Sequence, residues 1–362
     1  MTVRQATTLA DGRELFYYDA APGQDRRGVD RRGDLPATST TSQVRWDPLF
    51  HTHTVIAEHR QTRTYHPPDD LCPLCPSRNG MSTEIPASDY EVVVFENRFP
   101  AFSLQAAETV PYVTDPPFRS APGAGRCEVV CFTPEHTGSF SSLTARQART
   151  VIDAWADRTT ELNARDSIEY VFCFENRGEE IGVTLSHPHG QIYGYPFVPP
   201  RFFNAAHTAL RYRERTGECL QCMLLRAELG DGKRVVATSE HWTAYVPFAA
   251  RWPYEVRVVP HAHVPDLPSL GEAERDDLAL IYLEVLRKFD GLFDAPTPYI
   301  AGWQQAPAHQ DRDVWHLAAE ILTIRRAPGK LKYLAGSESG AAVWINDVAP
   351  EDAAARLRGD DS

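Results

Sequence analysis

A chain of 362 residues, 42% hydrophobic and 10% aromatic, is long enough for one large or two ordinary globular domains and can bury a sizeable core. Its formal net charge of −12 excludes nonspecific nucleic-acid binding, so any anionic substrate must find its positive partners locally. Met1–Arg4 opens no apolar leader and no run of about 18 apolar residues occurs, which leads us to expect a cytoplasmic protein without a membrane span.

Leu9–Tyr18 reads as two strands joined at Asp11-Gly12. Residues 20–43, rich in Gly, Arg, Asp, Ser and Thr, read as a mobile arm, so residues 1–44 form an expected N-terminal hairpin and arm. Thr54–Ala57 is a short strand leading to His59-Arg60-Gln61-Thr62-Arg63. There Arg60 and Arg63 have the spacing to fork onto a diphosphate; a solvated basic loop is the competing reading. Cys72-Pro73-Leu74-Cys75 puts two sulfurs in one tight turn, half of a tetrahedral zinc site. Seven cysteines, an odd number with two such pairs, favour metal over disulfides, and no βαβ pattern surrounds the pair as a redox motif would require.

Tyr90–Pro100 reads as a strand entering a turn and Gly125–Phe132 as another strand. Ser142–Arg165 reads as a helix with Ala148, Val151, Ile152 and Trp155 on one apolar face. Ser167–Phe174 is the next strand and runs into Glu175–Thr184. Then comes Ser186-His187-Pro188-His189-Gly190-Gln191-Ile192-Tyr193-Gly194-Tyr195. In an extended chain His187 and His189 share a face with Cα atoms ~6.6 Å apart, suited to neighbouring jobs rather than to one ion. His189 reads as a nucleophile and His187 as a metal ligand. Pro188 points to an edge or interrupted strand, Gly190 to close approach of a ligand, and Gln191 to an amide donor beside His189. Two ordinary strand histidines are the plainer alternative.

The order then repeats. Cys219-Leu220-Gln221-Cys222 echoes Cys72–Cys75, Val235–Thr238 echoes Val92–Phe95, and Val256–His263 echoes Val129–His136. A helix over Glu272–Phe289 and a strand over Val314–Thr323 follow. Two α+β halves are therefore expected, fused into one continuous antiparallel sheet because each alone leaves an edge exposed. Ala318 and Glu320 stand where we expect His187 and His189 to recur, so the second half has lost its chemistry. It offers Cys219, Cys222 and His263 for a second metal, with His316 as a possible fourth ligand, and occupancy is left open.

His187-Pro188-His189-Gly190-Gln191 resembles the active-site signature of the galactose-1-phosphate uridylyltransferases, a branch of the histidine-triad superfamily. The resemblance runs from about Arg45 to Arg358. It implies an α+β fold of internally duplicated histidine-triad-like halves sharing one mainly antiparallel sheet flanked by helices. Residues 45–212 would be the catalytic half, and residues 213–362 a degenerate half with a hexose-binding segment. It also implies one structural zinc on Cys72, Cys75, His136 and His187, with all four positions filled. His189 and Gln191 would be catalytic, and Arg60 and Arg63 would contact substrate phosphate. Leu74, Phe95 and Asn97 would hold the nucleoside; Asn176 and Gly182, Val183 and Thr184 would hold ribose and phosphate. Lys332, Tyr333 and Glu338 would bind the hexose phosphate. Arg98 stands in place of an acid, Thr184 of a serine and Ser337 of a tyrosine. A further metal set known in some members maps onto Ala205, Gln304, Ala318 and Glu320, and is taken as absent.

The activity implied is ping-pong: His189 takes a uridylyl group from UDP-glucose, releasing glucose 1-phosphate, and passes it to galactose 1-phosphate. A homodimer with shared active sites would bind only nucleotide sugar and hexose 1-phosphate. Two rivals stay open: a nucleotide-sugar phosphorylase moving AMP or GMP to inorganic phosphate, and a non-catalytic nucleotide-binding module.

Overall fold

The computed structural model describes residues 2–33, 35–38, 40–61, 67–78, 80–106 and 110–360. Eleven strands make one antiparallel sheet. The first half supplies β1 (Val3–Thr8), β2 (Glu14–Asp19), β5 (Val92–Glu96), β7 (Arg126–Cys131), β9 (His189–Tyr195) and β8 (Tyr170–Arg177), in that spatial order. The second half continues with β13 (Tyr299–Gln304), β14 (Ala318–Thr323), β12 (Tyr254–Pro260), β11 (Trp242–Tyr245) and β10 (Val235–Thr238). β8 pairs with β13 at the centre, so each half's inner edge is covered by the other. A small sheet of β3 (Gln43–Asp47), β4 (Thr52–Ile56) and β6 (Ser120–Pro122) stands apart, as does the hairpin β15 (Arg325–Ala327) with β16 (Lys330–Leu331).

Two long helices cover one face: α1 (Ala145–Asn163) from the first half and, from the second, the helix Glu272–Asp290 described below as α4. A capping box between Thr144 and Gln147 starts α1, satisfying two of its orphan N–H groups. Ala148, Val151, Ile152 and Trp155 are all buried, as the helical spacing requires. They meet Tyr282 of that second helix and Trp303 of β13 in the main core. Between the two come α2 (Pro200–Thr216) and α3 (Leu220–Asp231); the Glu272–Asp290 helix is α4, followed by α5 (Gly336–Ala341) and α6 (Pro350–Arg358). α2 runs through the expected boundary at 212/213. Among the described residues no helix is long and apolar enough to cross a membrane.

The duplication is present, with two changes of detail. Strand order matches β11 to β5 and β10 to β2, so the second-half counterpart of Val92–Phe95 is Trp242–Tyr245 rather than Val235–Thr238. Both segments are short and apolar, and only pairing order distinguishes them. β9 is also a central strand, not an edge. The strand starts at His189, so the missing N–H of Pro188 falls just before the ladder, while the Pro188 carbonyl accepts from Phe132 N at 3.2 Å.

Candidate active site and metal centres

Period-two alternation in β9 turns Gly190, Ile192 and Gly194 toward the helices and leaves His189, Gln191, Tyr193 and Tyr195 on the opposite, open face. Gly190 has a packing role: a Cβ there would meet Phe132 Cζ and Phe174 O, each at 2.8 Å. The expectation that it admits a ligand is replaced by close approach of a buried ring and a neighbouring strand. On the face away from the helices the register sets Phe95, Val129, Gln191 and Phe174 in one row across β5, β7, β9 and β8, with Phe95 and Val129 buried. The predicted base-binding aromatic thus lies two strands from the predicted catalytic amide, about 10 Å at ordinary strand spacing. Leu74 packs in the same cluster as Phe95 and Val129. Asn97 is buried just past β5, its side chain accepting from Phe99 N at 2.9 Å.

His189 Nδ1 lies 2.8 Å from the backbone carbonyl of His187. A carbonyl only accepts, so Nδ1 carries the proton and Nε2 keeps its lone pair. Asn176 is half-buried on β8, on the same face as Phe174. Gly182, at φ +85°, closes the short turn Glu179–Ile181 that leads to Val183 and Thr184. Arg60 ends the short turn Glu58–Arg60 after β4. Arg63 lies outside the described residues. Lys332 is 7% exposed, its ammonium bonded to Glu338 (2.9 Å) and to the Ile345 carbonyl. Tyr333 is 75% exposed. In the isolated chain these hexose candidates lie on a separate segment, not in the His189 row.

Cys72, Cys75 and His136 bring one ligand atom each within 4.8 Å of one another. His136 Nδ1 is 3.4 Å from Cys75 Sγ, and its Nε2 faces Asp69 at 3.1 Å and Ser186 Oγ at 3.3 Å. His187 stands against this group, its ring centroid 5.8 Å from that of His136 and its exposure 1%. Tyr90 donates its hydroxyl proton to Thr133 O at 2.6 Å, so His187 Nε2 at 3.2 Å is the donor toward the Tyr90 oxygen. That leaves His187 Nδ1 as a buried lone pair with no hydrogen-bond partner. Burial, then the neighbouring His189 and His136, pushes the His187 pKa down to about 3, so the ring is neutral. Burial and the adjacent Cys72 push the Cys75 thiol up to about 12. A divalent cation is what would let both thiols ionise here, and the orphaned Nδ1 makes the donor set fit one.

The second half repeats the device more completely. Cys219, Cys222, His263 and His316 hold all four ligand atoms within 4.8 Å. His263 Nε2 donates to Asp313 O (3.1 Å) and His316 Nε2 to Pro260 O (3.0 Å), so both Nδ1 atoms are left for the sulfurs, at 3.6 and 3.3 Å from Cys222 Sγ. His316 is therefore the counterpart of His187, and our placement of Ala318 there was one strand step too far. Ala318 replaces His189, and Glu320 replaces Gln191. The lure was position: His316 lies before β14 begins, where strand periodicity no longer counts. Tyr90 was missed altogether. A phenol heading an otherwise aliphatic strand was the available signal.

The sheet is thus built from two like α+β halves, with a tautomer-fixed histidine beside an amide in one of them. Comparison with known proteins narrows this. Residues 34–199 match the model of the galactose-1-phosphate uridyl transferase N-terminal domain and residues 206–360 that of the C-terminal domain. A galactose-1-phosphate uridylyltransferase of Streptomyces lividans is 50% identical over 98% of this chain and 97% of its own. One from Thermotoga maritima is 36% identical over 87% and 98%. A solved uridylyltransferase superposes with TM-score 0.78 at 31% identity, covering 88% of this chain and 97% of its own. An ADP-glucose phosphorylase from Arabidopsis thaliana gives 0.66 at 25%, covering 87% and 98%. The chain belongs to the galactose-1-phosphate uridylyltransferase family.

Proposed function

We propose that this chain carries out the uridylyl transfer for which its relatives are named, converting UDP-glucose and galactose 1-phosphate to glucose 1-phosphate and UDP-galactose. The carrying observation is the His189 Nδ1–His187 carbonyl bond, which supports the reading of Nε2 as the nucleophile. Nε2 attacks the α-phosphorus; the bond from that phosphorus to the bridging oxygen breaks and glucose 1-phosphate leaves. The proton stays on Nδ1, held by the carbonyl, which also faces the cationic ring that forms. Galactose 1-phosphate then attacks the same phosphorus, the P–N bond breaks, and the electron pair returns to Nε2. No net proton moves, so no general acid is needed. Gln191, one residue-pair along the open face, donates to the transferring phosphoryl oxygens, with Arg60 and Arg63 as the cationic partners.

Phe95, Leu74 and Asn97 take the nucleoside, and Asn176 with Gly182–Thr184 take ribose and phosphate. Lys332, Tyr333 and Glu338 belong to the hexose segment. They sit on a segment outside the strand row that carries Gln191, and the reading we favour is a homodimer in which this segment completes the partner's site. Lys332 and Glu338 are already paired, so their first task is to shape this segment. We further propose zinc on Cys72, Cys75, His136 and His187 and a second zinc on Cys219, Cys222, His263 and His316. Each would be purely structural, with four protein ligands and no open position. The protein is proposed to act in the cytoplasm on small phosphorylated sugars, without nucleic acid or membrane.

One incubation tests the reaction. Protein mixed with UDP-glucose and freed of excess should gain one acid-labile uridylyl group in its intact mass, absent in His189→Asn. Release by galactose 1-phosphate supports the transferase; release by inorganic phosphate alone, or an adenylyl adduct from ADP-glucose, would move the reading to a phosphorylase. No adduct with either sugar nucleotide would leave only a binding module. Metal analysis should find two zinc per chain, falling to one in Cys222→Ser.

A further inference from the structure

Where the catalytic half carries Gln191, the second half carries Glu320, and the surroundings of that carboxylate differ in kind. Arg201 of α2 forks onto it at 2.6 and 2.7 Å, and Arg251 adds a third bond at 2.9 Å. Arg251 in turn lies 5.3 Å from the ring centre of Trp344, which also packs on Trp252 at 5.1 Å. Two residues on, Asn346 donates to the carbonyls of Ala250 (3.1 Å) and Trp252 (2.9 Å), and Asp347 pairs with Arg326 of β15 at 2.5 Å. Residues 344–347 are the return leg of the segment that begins at Lys332. The outgoing leg is tied by Lys332 N to Ile324 O at 2.6 Å. Beyond these ties the segment shows Tyr333, Leu334, Val343 and Ile345 to solvent. Its base is bolted to the sheet while its tip is free.

We propose that Glu320, Arg251 and Trp344 are positioning residues that mount the hexose segment on the second half's former catalytic row. A carboxylate inherited from the position of the catalytic amide anchors a guanidinium, and the guanidinium with Trp252 holds the ring that sets the segment's angle. A projecting segment needs such a mount, because slack at its base is amplified at its tip and the lost freedom must be recovered from substrate binding. The proposal rests on the reading that residues 332–338 hold the hexose phosphate.

The test uses the full-length protein and four variants, with KM for galactose 1-phosphate and the dissociation constant of UMP as paired readouts. Trp344→Ala and Arg251→Gln should each raise KM for the hexose phosphate about tenfold. UMP affinity should stay within about twofold, because the nucleotide row is in the other half, and Trp344→Phe should recover most of the loss. Tyr333→Ala, at an exposed residue of the segment itself, should raise the same KM. If Tyr333→Ala raises KM and neither base variant does, the mount is overturned and the hexose reading stands. If Tyr333→Ala changes nothing, the hexose reading falls and the mount with it. An equal loss of UMP affinity in the base variants would mark a general structural effect and overturn the proposal. Should Trp344→Ala not fold, Arg251→Gln decides alone.

Discussion

The two halves present the same row of the sheet to the same side and do opposite things with it. In the first, Gln191 and Phe174 are partly open next to His189, while Phe95 and Val129 of the same row are buried with Leu74. In the second, Gly302, Glu320, Arg257 and Tyr245 continue the row, and α2 closes over it through Arg201. Yet both halves keep a Cys/His cluster at the end of the strand, Cys72, Cys75 and His136 in the first and Cys219, Cys222, His263 and His316 in the second. The comparison teaches that the metal-type turn and the residues of the proposed chemistry vary separately: the turn recurs where Ala318 and Glu320 replace His189 and Gln191.

The largest expected effect tests that replacement directly. His189→Asn should abolish the adduct and lower turnover on the order of 10⁴-fold, read by steady-state kinetics. The reciprocal Ala318→His should gain no adduct at all, since Arg201 and Arg251 already occupy Glu320 beside it; a nucleotidylated residue 318 in a mass spectrum would break the comparison.

Next in size is the lock itself. Glu320 is held well below the usual carboxylate range, to about 2: burial works against this, and Arg201 and Arg251 overcome it. Glu320→Gln should cost about 3 kcal/mol in urea unfolding, the low end for breaking a buried pair because Arg201 keeps part of its side chain in water. Gln191→Glu should leave folding within about 1 kcal/mol but slow transfer roughly 10²-fold by repelling the phosphoryl oxygens.

A third prediction concerns the helix side at the junction of the halves. Glu175 is buried, accepts from Tyr299 at 2.9 Å, and has its other oxygen unpartnered. Burial pushes its pKa up to about 8, with Tyr299 and Arg177 lowering it only in part. The folded state therefore keeps a proton that the unfolded state, near 4.5, releases. The sign follows: this group's share of stability is full below about pH 4.5 and is lost as pH rises toward 8. Glu175→Gln should flatten that slope and gain on the order of 2 kcal/mol at pH 8, measured by denaturant melts across pH 5–8.

The smallest effect is steric. A Cβ on Gly302 would sit 2.5 Å from Phe172 Cζ, where the second half's strand meets the first half's aromatic face. Gly302→Ala should cost about 1–2 kcal/mol of stability by overpacking, with little change in zinc content.

Much of this was legible beforehand. The apolar face of α1, the paired cysteine turns and the repeated order of elements all follow from short-range patterns. The N-terminal hairpin was legible for the same reason: Gly12 at φ +84° turns it. What was misread depended on register. Val235–Thr238 and Trp242–Tyr245 are equally good strand text, and only the neighbour each one finds tells which copies β5. Gly190 read as room for a ligand because sequence does not say which face of a strand is covered.

The sequence by itself determined which groups were on offer: an imidazole beside an amide, thiol pairs at chelating spacing, and two copies of one α+β pattern, since these depend on residue type and separation along a strand or turn. The tertiary structure alone decided that His316 completes the second cluster and that Glu320 is an anchor for Arg201 and Arg251 instead of an amide's substitute. Those outcomes depend on which strands and loops meet across distances of a hundred residues or more, and hydrogen-bond register and burial, unlike propensity, are properties of the folded whole.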